Sequence, residues 1–313
     1  MSLSETLLAE EPDAALEPEL TPAEQGRRKP LSRGGLIWRR LRSTPRFWVG
    51  VGLFAFLVAW AYLGPLVYPY GPDDRDIYNM GMGPTMMHWF GTDSIGMDIY
   101  AQTISGLQKS LVIGLVAGPL STLIAAIVGS VAGYLGGIVD KSIAWVIDLL
   151  LVLPSFFLLV LLSPIFTQLS WVFLTLFLSI FSWMIMAQVV RSQTRSLKNR
   201  EFVKAARFMG MSTPQIIAKH IIPNIASLLI IDATLGVAAM ILSETSLSFF
   251  GFGVKPPAVS LGTLLSDGTG AALTRPWLFV FPAAVLIVLL FAISLIGDAF
   301  RDAVDPTSGA NRG

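Results

Sequence analysis

Cysteine is absent from this 313-residue sequence, and histidine occurs only twice, at His88 and His220. No disulfide framework, thiolate nucleophile or cysteine metal site is therefore available, and a zinc or copper centre is not expected on ligand supply. Charge is also scarce. Only 14% of residues are charged while 53% are hydrophobic, against roughly 25% charged in an ordinary soluble domain. So much apolar surface requires a bilayer.

What the chain does have is long charge-free runs. None of Asp, Glu, Lys or Arg falls between Phe47 and Pro72, between Ser110 and Val139, or between Leu149 and Val190. A spanning helix needs about 20 predominantly apolar residues, so the last run holds two spans, with a turn expected at Pro164, Gln168 and Ser170. Ile221 to Val254 and Pro276 to Gly297 supply two more. Six helices are expected near Trp48–Tyr68, Leu111–Gly133, Ile143–Leu162, Trp171–Val190, Ile225–Phe249 and Trp277–Ile296. Barrel strands alternate apolar and polar residues over about 10 positions. These runs are apolar on every face, which leaves helices to satisfy the backbone in lipid.

With six spans, 18 of the 22 Lys and Arg fall on one side and only Arg75, Lys109, Lys255 and Arg275 on the other. The positive-inside bias then predicts both termini in the cytoplasm. Met1 to Gln25 carries seven acids and no base, the composition of a disordered tail and not of a signal peptide. Arg27 to Arg46 follows as a basic block suited to anionic membrane lipids, at about 1 kcal/mol per base; Ser43 and Thr44 are expected to cap the span that opens with Pro45. Gly71 to Lys109 and Gly251 to Pro276 read as caps over the outward mouth, the first containing a short interfacial helix at Asp98 to Leu107. Asp93 and Asp98 have too few oxygen partners for calcium and suit turn and cap roles.

The segment Arg191 to Asn224, RSQTRSLKNREFVKAARFMGMSTPQIIAKHIIPN, is the most informative. Arg200 to Met209 is helix-forming, with Phe202, Ala205, Ala206 and Met209 on one side, and Gly210 closes it. Ser212 or Thr213 then caps a second short helix opening with Pro214. Two short helices about a glycine turn make a stiff protrusion, able to dock in a groove and transmit force.

This segment resembles the EAA loop of type I ABC-importer permeases, in which Glu-Ala-Ala is followed by Gly and then by Ile-x-Leu-Pro. Ala205, Ala206, Gly210 and Pro223 stand at matching positions; Lys204 occupies the Glu place, His220 and Ile222 the Ile and Leu places, and Glu201 lies one turn earlier. Three further stretches resemble the dipeptide/oligopeptide branch of that family: FGTDSIGMDIY from Phe90, ILSETSLSFFGFG from Ile241 and GDAFRDAVDP from Gly297. The single span before the first of them is similar to the C-type subunit of the permease pair.

The resemblance implies an all-α, type I ABC importer transmembrane fold in the bacterial inner membrane. It divides the chain into an acidic tail (1–30), a basic segment with the first span and an extracytoplasmic segment (31–108), the permease domain (109–301) and a cytoplasmic tail (302–313). It implies import of peptides or similar small solutes by a heterodimer with a second homologous permease. Two ABC ATPase subunits, which hold ATP and magnesium, and an extracytoplasmic substrate-binding protein complete the set, with no nucleic acid. The ATPase-coupling residues would be Glu201, Lys204, Ala205, Ala206, Gly210, His220 and Pro223. The chain has no Gly-Lys pair, hence no P-loop cradle for phosphates; it is expected to bind no cofactor or metal and to catalyse nothing itself.

Glu244 and Asp232 fall within the fifth span, where an acid costs about 2.5 to 3.5 kcal/mol. Glu244 suits equally a place on the pathway or its gate and a helix-helix bond to Ser or Thr; for Asp232 the helix-helix bond is favoured. Asp148 reads as an interfacial, solvated acid and His220 as a packing or capping residue. Gly114-x-x-x-Gly118 and Gly129-x-x-x-Gly133 allow close helix approach within the subunit. A secondary transporter would need interrupted helices with convergent mid-membrane acids, and an intramembrane enzyme paired catalytic groups. The acids here are too few and scattered for the first, and no such pair exists for the second.

Overall fold

Helices account for all regular elements among the described residues of the computed structural model, which are 33–154, 157–158, 161 and 171–304. Helix α1 (Arg33–Ser43) leads into α2 (Pro45–Val67). Ser43 and Thr44 do not cap α2 as expected. Both hydroxyls donate backwards to the Arg40 carbonyl, closing α1, while Pro45 supplies the fixed φ that starts α2.

Helix α3 (Ile99–Leu135) is 37 residues long, about 55 Å at 1.5 Å per residue, against a hydrocarbon core of about 30 Å. The short interfacial helix expected at Asp98 to Leu107 is thus the first part of α3. Asp98 caps it by accepting the Ala101 N–H at 2.8 Å, and no glycine or proline interrupts the stretch from Leu107 to the apolar run. Gly136 and Gly137, at φ 70° and 58°, turn the chain into α4 (Gly137–Val152); a side chain at such φ is strained.

Beyond Pro154 only 157–158 and 161 of the expected third span are among the described residues, and the turn at Pro164, Gln168 and Ser170 lies outside them. The expected fourth span is two helices, α5 (Trp171–Ser182) and α6 (Met184–Lys198), bent by 42°. Then come α7 (Glu201–Phe208), α8 (Thr213–Ile216), a π turn (Ile217–Ile221), α9 (Ile222–Phe249), α10 (Leu261–Thr269) and α11 (Trp277–Val304). Among the described residues four helices are long and apolar enough to cross a membrane, or five if the bent pair is one span.

Helix α3 is the axis of the bundle. A Cβ on Gly118 would sit 2.7 Å from the Val237 nitrogen of α9, and one on Gly133 2.5 Å from the Arg191 carbonyl of α6. The two small-residue motifs therefore serve packing inside the subunit, as expected. Leu57 of α2, Leu111 of α3, Ile241 of α9, Leu261 of α10 and Leu289 of α11 meet in the main core. Outward-facing Leu66, Val67, Trp145 and Ile287 remain exposed, an apolar surface that water does not tolerate at this extent. The chain is a multi-pass membrane protein.

Candidate functional site

One end of the bundle carries the knuckle. Helix α7 starts at Glu201, and Met209 ends it before Gly210, whose φ of 80° reverses the chain. Ser212 and Gln215 form a capping box, the Gln215 side-chain oxygen accepting the Ser212 N–H at 3.1 Å. The π turn precedes Pro223 for a physical reason: proline has no N–H to give and its ring crowds the carbonyl four residues back. The wider turn absorbs this, with the Ile222 N–H reaching Ile217.

The knuckle has its own small core of Val203, Ala206, Ile216 and Ile221 against Tyr134. At 100° per residue, the apolar arc of α7 extends past this core to Phe202, Met209 and Ala205, and Phe208 projects separately between Glu201 and Lys204. Phe208 is 92% exposed and Met209 74%. Of the face expected from the sequence, only Ala206 is turned inward. Glu201, Lys204 and Ala205 are exposed. His220 is half-buried with its ring 6.3 Å from that of Phe202, a packing role, and its backbone carbonyl accepts the Asn224 amide at 2.7 Å.

The helix that leads into the knuckle, α6, is braced against α4 by an ion cluster that the sequence reading missed. Asp140, at the start of α4, is buried and bonded by Arg191 and Arg195 of α6. Hydrogen bonding from Arg191, and then from Arg195, holds its carboxyl below the usual range against the opposing effect of burial. Arginines four apart on one helix face and an acid beside a Gly-Gly turn were the available signals. Asp148 is bonded at the exposed surface by Gln188 at 3.2 Å.

The two acids of α9 have different surroundings. Asp232 lines a groove of about 530 Å³ between α3, the α5–α6 bend and α9. Thr122 donates to its carboxylate at 2.6 Å, and Ser121, Ser182 and Ser243 extend the polar strip among Met184, Met186 and Met240. Glu244 is fully buried. The Ser248 hydroxyl donates to it at 2.6 Å while accepting the Val254 N–H, and the hydroxyls of Ser110 and Ser260 lie beside it. Ser110 accepts the Leu261 N–H, and Ser260 accepts the Thr263 N–H while donating to the Ser248 hydroxyl at 3.4 Å, so the serines of three elements surround the carboxyl, whose second oxygen has no partner among the described residues. Glu244 thereby joins α3, α9 and α10. It does not line the groove.

At the opposite end, residues 68–98 fold as a cap. Asp98 accepts from the Tyr68 hydroxyl at 2.6 Å and meets His88 Nδ1 at 2.7 Å, and Asp76 lies 3.3 Å from His88 Nε2. Asp93 accepts the Ile95 and Met97 N–H groups. Asp98 and Asp93 are thus the cap and turn residues expected.

Comparison with known proteins agrees with this architecture. The profile of the binding-protein-dependent transport system inner membrane component matches residues 125–308, and that of the N-terminal transmembrane domain of oligopeptide transport permease C matches 32–84. The oligopeptide transport system permease protein OppC of Mycobacterium tuberculosis is 47% identical over 282 residues, 90% of this chain and 97% of that protein. The dipeptide transport system permease protein DppC of Bacillus subtilis is 34% identical over 286 residues, 91% of this chain and 89% of that one. In fold, the chain is similar to the MetNI methionine ABC transporter in an inward-facing conformation, with a TM-score of 0.51 and 19% identity over 65% of this chain and 96% of that one. The chain belongs to the binding-protein-dependent transport inner membrane components, the permease subunits of ATP-binding-cassette importers.

Proposed function

We propose that this chain is one of two homologous permeases in a bacterial inner-membrane importer of peptides, with six spans and both termini in the cytoplasm. The knuckle from Glu201 to Pro223 is the contact through which two ATPase subunits, holding ATP and magnesium, move the helices. An extracytoplasmic binding protein delivers the solute. Peptides are favoured because relatives at 47% and 34% identity carry the names of oligopeptide and dipeptide permeases.

The observation that carries the coupling role is the exposed apolar arc of α7 on a knuckle with its own core. An aromatic ring left 92% in solvent beside a glycine turn is a surface awaiting a partner. The Asp232 groove, mostly apolar with a polar strip of Ser121, Thr122, Ser182, Asp232 and Ser243, supports its reading as this subunit's half of the pathway. ATPase closure then rocks the helices about that groove between outward and inward access.

Gly210→Val tests the coupling. Its Cβ would meet nothing within 4 Å, so the substitution strains only the left-handed turn, by about 1 to 3 kcal/mol. In proteoliposomes containing the whole transporter, ATP hydrolysis should persist while peptide uptake falls by about tenfold or more. Unchanged uptake per ATP would overturn the coupling role.

A further inference from the structure

A second cavity, of about 1000 Å³, lies between the two external segments, away from the Asp232 groove. Three acids, Asp73, Asp93 and Asp267, and three bases, Arg75, Lys255 and Arg275, line it. No ion pair joins any two of the six; the ion pairs among the described residues lie elsewhere. Asp93 is turned to the Ile95 and Met97 N–H groups, Lys255 to the Gly251 carbonyl, and the Arg275 guanidinium lies over Gly81. Unlike charges that serve only to hold a wall together close on one another. Here the backbone keeps them apart around a space at the upper end of the 300 to 1,000 Å³ typical of small-molecule sites, roughly. Val254, Pro256, Pro257 and Val259 give the same cavity an apolar wall.

We propose that this cavity is a vestibule for a zwitterionic peptide, its α-ammonium between Asp93 and Asp267 and its carboxylate against Arg75, Lys255 and Arg275. The inference rests on the peptide reading above and adds to it a holding site inside one permease, outside the membrane-level groove. The acid pair is the better-defined half. Asp267, near the end of α10, has no side-chain hydrogen bond among the described residues, and burial, then the charge of Asp93, pushes its carboxyl up. An ammonium placed between the two carboxylates relieves both effects. The apolar wall accepts side chains without selecting them, so recognition is of the two charged ends and is tolerant of sequence.

The test uses the assembled transporter in nanodiscs without its binding protein, titrated with trialanine, N-acetyl-trialanine and trialanine amide. Saturable trialanine binding is expected, weakened about tenfold by acetylation, the loss of one charge-assisted bond. In Asp267→Asn trialanine should bind about tenfold more weakly, and acetylation should then cost nothing further. Arg275→Gln should do the same for the amide. Both side chains lie at the cavity surface outside the core, so a matching thermal unfolding temperature serves as the folding control. The vestibule is refuted if no saturable binding occurs below about 10 mM, or if the acetylation penalty survives in Asp267→Asn. It is also refuted if Asp267→Asn weakens docking of the binding protein but leaves trialanine unaffected, which would make the surface a protein contact. Uptake separates the two claims: transport of trialanine without vestibule binding overturns this inference alone, whereas absence of ATP-driven uptake of any peptide overturns the peptide reading as well.

Discussion

The knuckle end and the cap end of this bundle solve opposite problems. At the cap end polar groups are turned inward and bonded to one another: Tyr68, His88 and Asp98 in one cluster, Glu244 with its serines in another. At the knuckle the small core of Val203, Ala206, Ile216 and Ile221 is complete, yet the apolar arc of α7 continues into solvent. The cap end sets its shape by itself. The knuckle holds a shape whose outer face is meant for something else. Substitutions within those two bonded clusters should therefore appear as lost stability, and those on the outer face of the knuckle as lost association at unchanged stability.

The largest effect is expected at Glu244. Glu244→Ala removes the acceptor of the Ser248 hydroxyl and leaves the Ser110 and Ser260 hydroxyls beside a void, which should cost about 3 kcal/mol. A lower thermal unfolding temperature of the chain in detergent would register it. Glu244→Gln keeps an acceptor oxygen and most of the volume and should cost about 1 kcal/mol. If alanine were as stable as wild type, the proposed stitching of α3, α9 and α10 through this carboxyl would be wrong.

Phe208→Ala probes the other end. A central aromatic anchor at an interface is worth about 2 kcal/mol or more, so titration of the ATPase subunits onto the permease pair should show about thirtyfold weaker association. The unfolding temperature should not move, because the ring makes few contacts in the free chain. A fall in stability as large as the loss of association would place Phe208 in the knuckle core and blur the distinction between the ends.

The sequence revealed the two ends unequally. Four of the six expected spans, or five if the bent pair is one, have counterparts among the described residues because charge-free runs are a one-dimensional signal, and the turn at Gly210 was legible because a glycine after an amphipathic segment has few other roles. The pairing of Gly118 with α9 and Gly133 with α6 was legible only as a spacing, since a small-residue motif does not name its partner. The bend between α5 and α6 carries no proline and left no mark. Phe208 was passed over because it stands outside the i, i+3, i+4, i+7 face through Phe202. Glu244 stayed ambiguous for a better reason: a buried acid looks the same in sequence whether serines or a pathway surround it, and Ser110 comes from a helix far back along the chain while Ser260 lies beyond a loop whose course the sequence does not give.

The brace of α6 against α4 sharpens the comparison, since it is a buried polar cluster at the exposed-surface end. Both arginines are partly exposed, at 23% and 52%, so solvent screening holds the expected cost of Asp140→Asn to about 1 to 2 kcal/mol. The Asp140 carboxyl is depressed in the folded chain, so its contribution is fully present above the unfolded value of about 4 and is lost as pH falls through the folded one. Wild type and Asp140→Asn should therefore differ by a constant amount from pH 8 to 5 and converge only below about pH 4. A difference that changed near neutral pH would assign the effect to another group.

Asp232 should give the smallest change in stability and the most specific change in function. Asparagine still accepts the Thr122 hydroxyl, and the groove is open enough to hydrate either side chain, so Asp232→Asn should alter stability by under about 0.5 kcal/mol. What it removes is a negative charge from the groove read here as half of the pathway. In a competition assay with the whole transporter, a lysine-containing tripeptide should lose ground to its glutamate counterpart by about threefold, a difference of the size expected for one screened charge. Equal uptake ratios before and after the substitution would mean that solute does not pass this carboxylate, and that Asp232, like Glu244 twelve residues further along α9, only ties helices together.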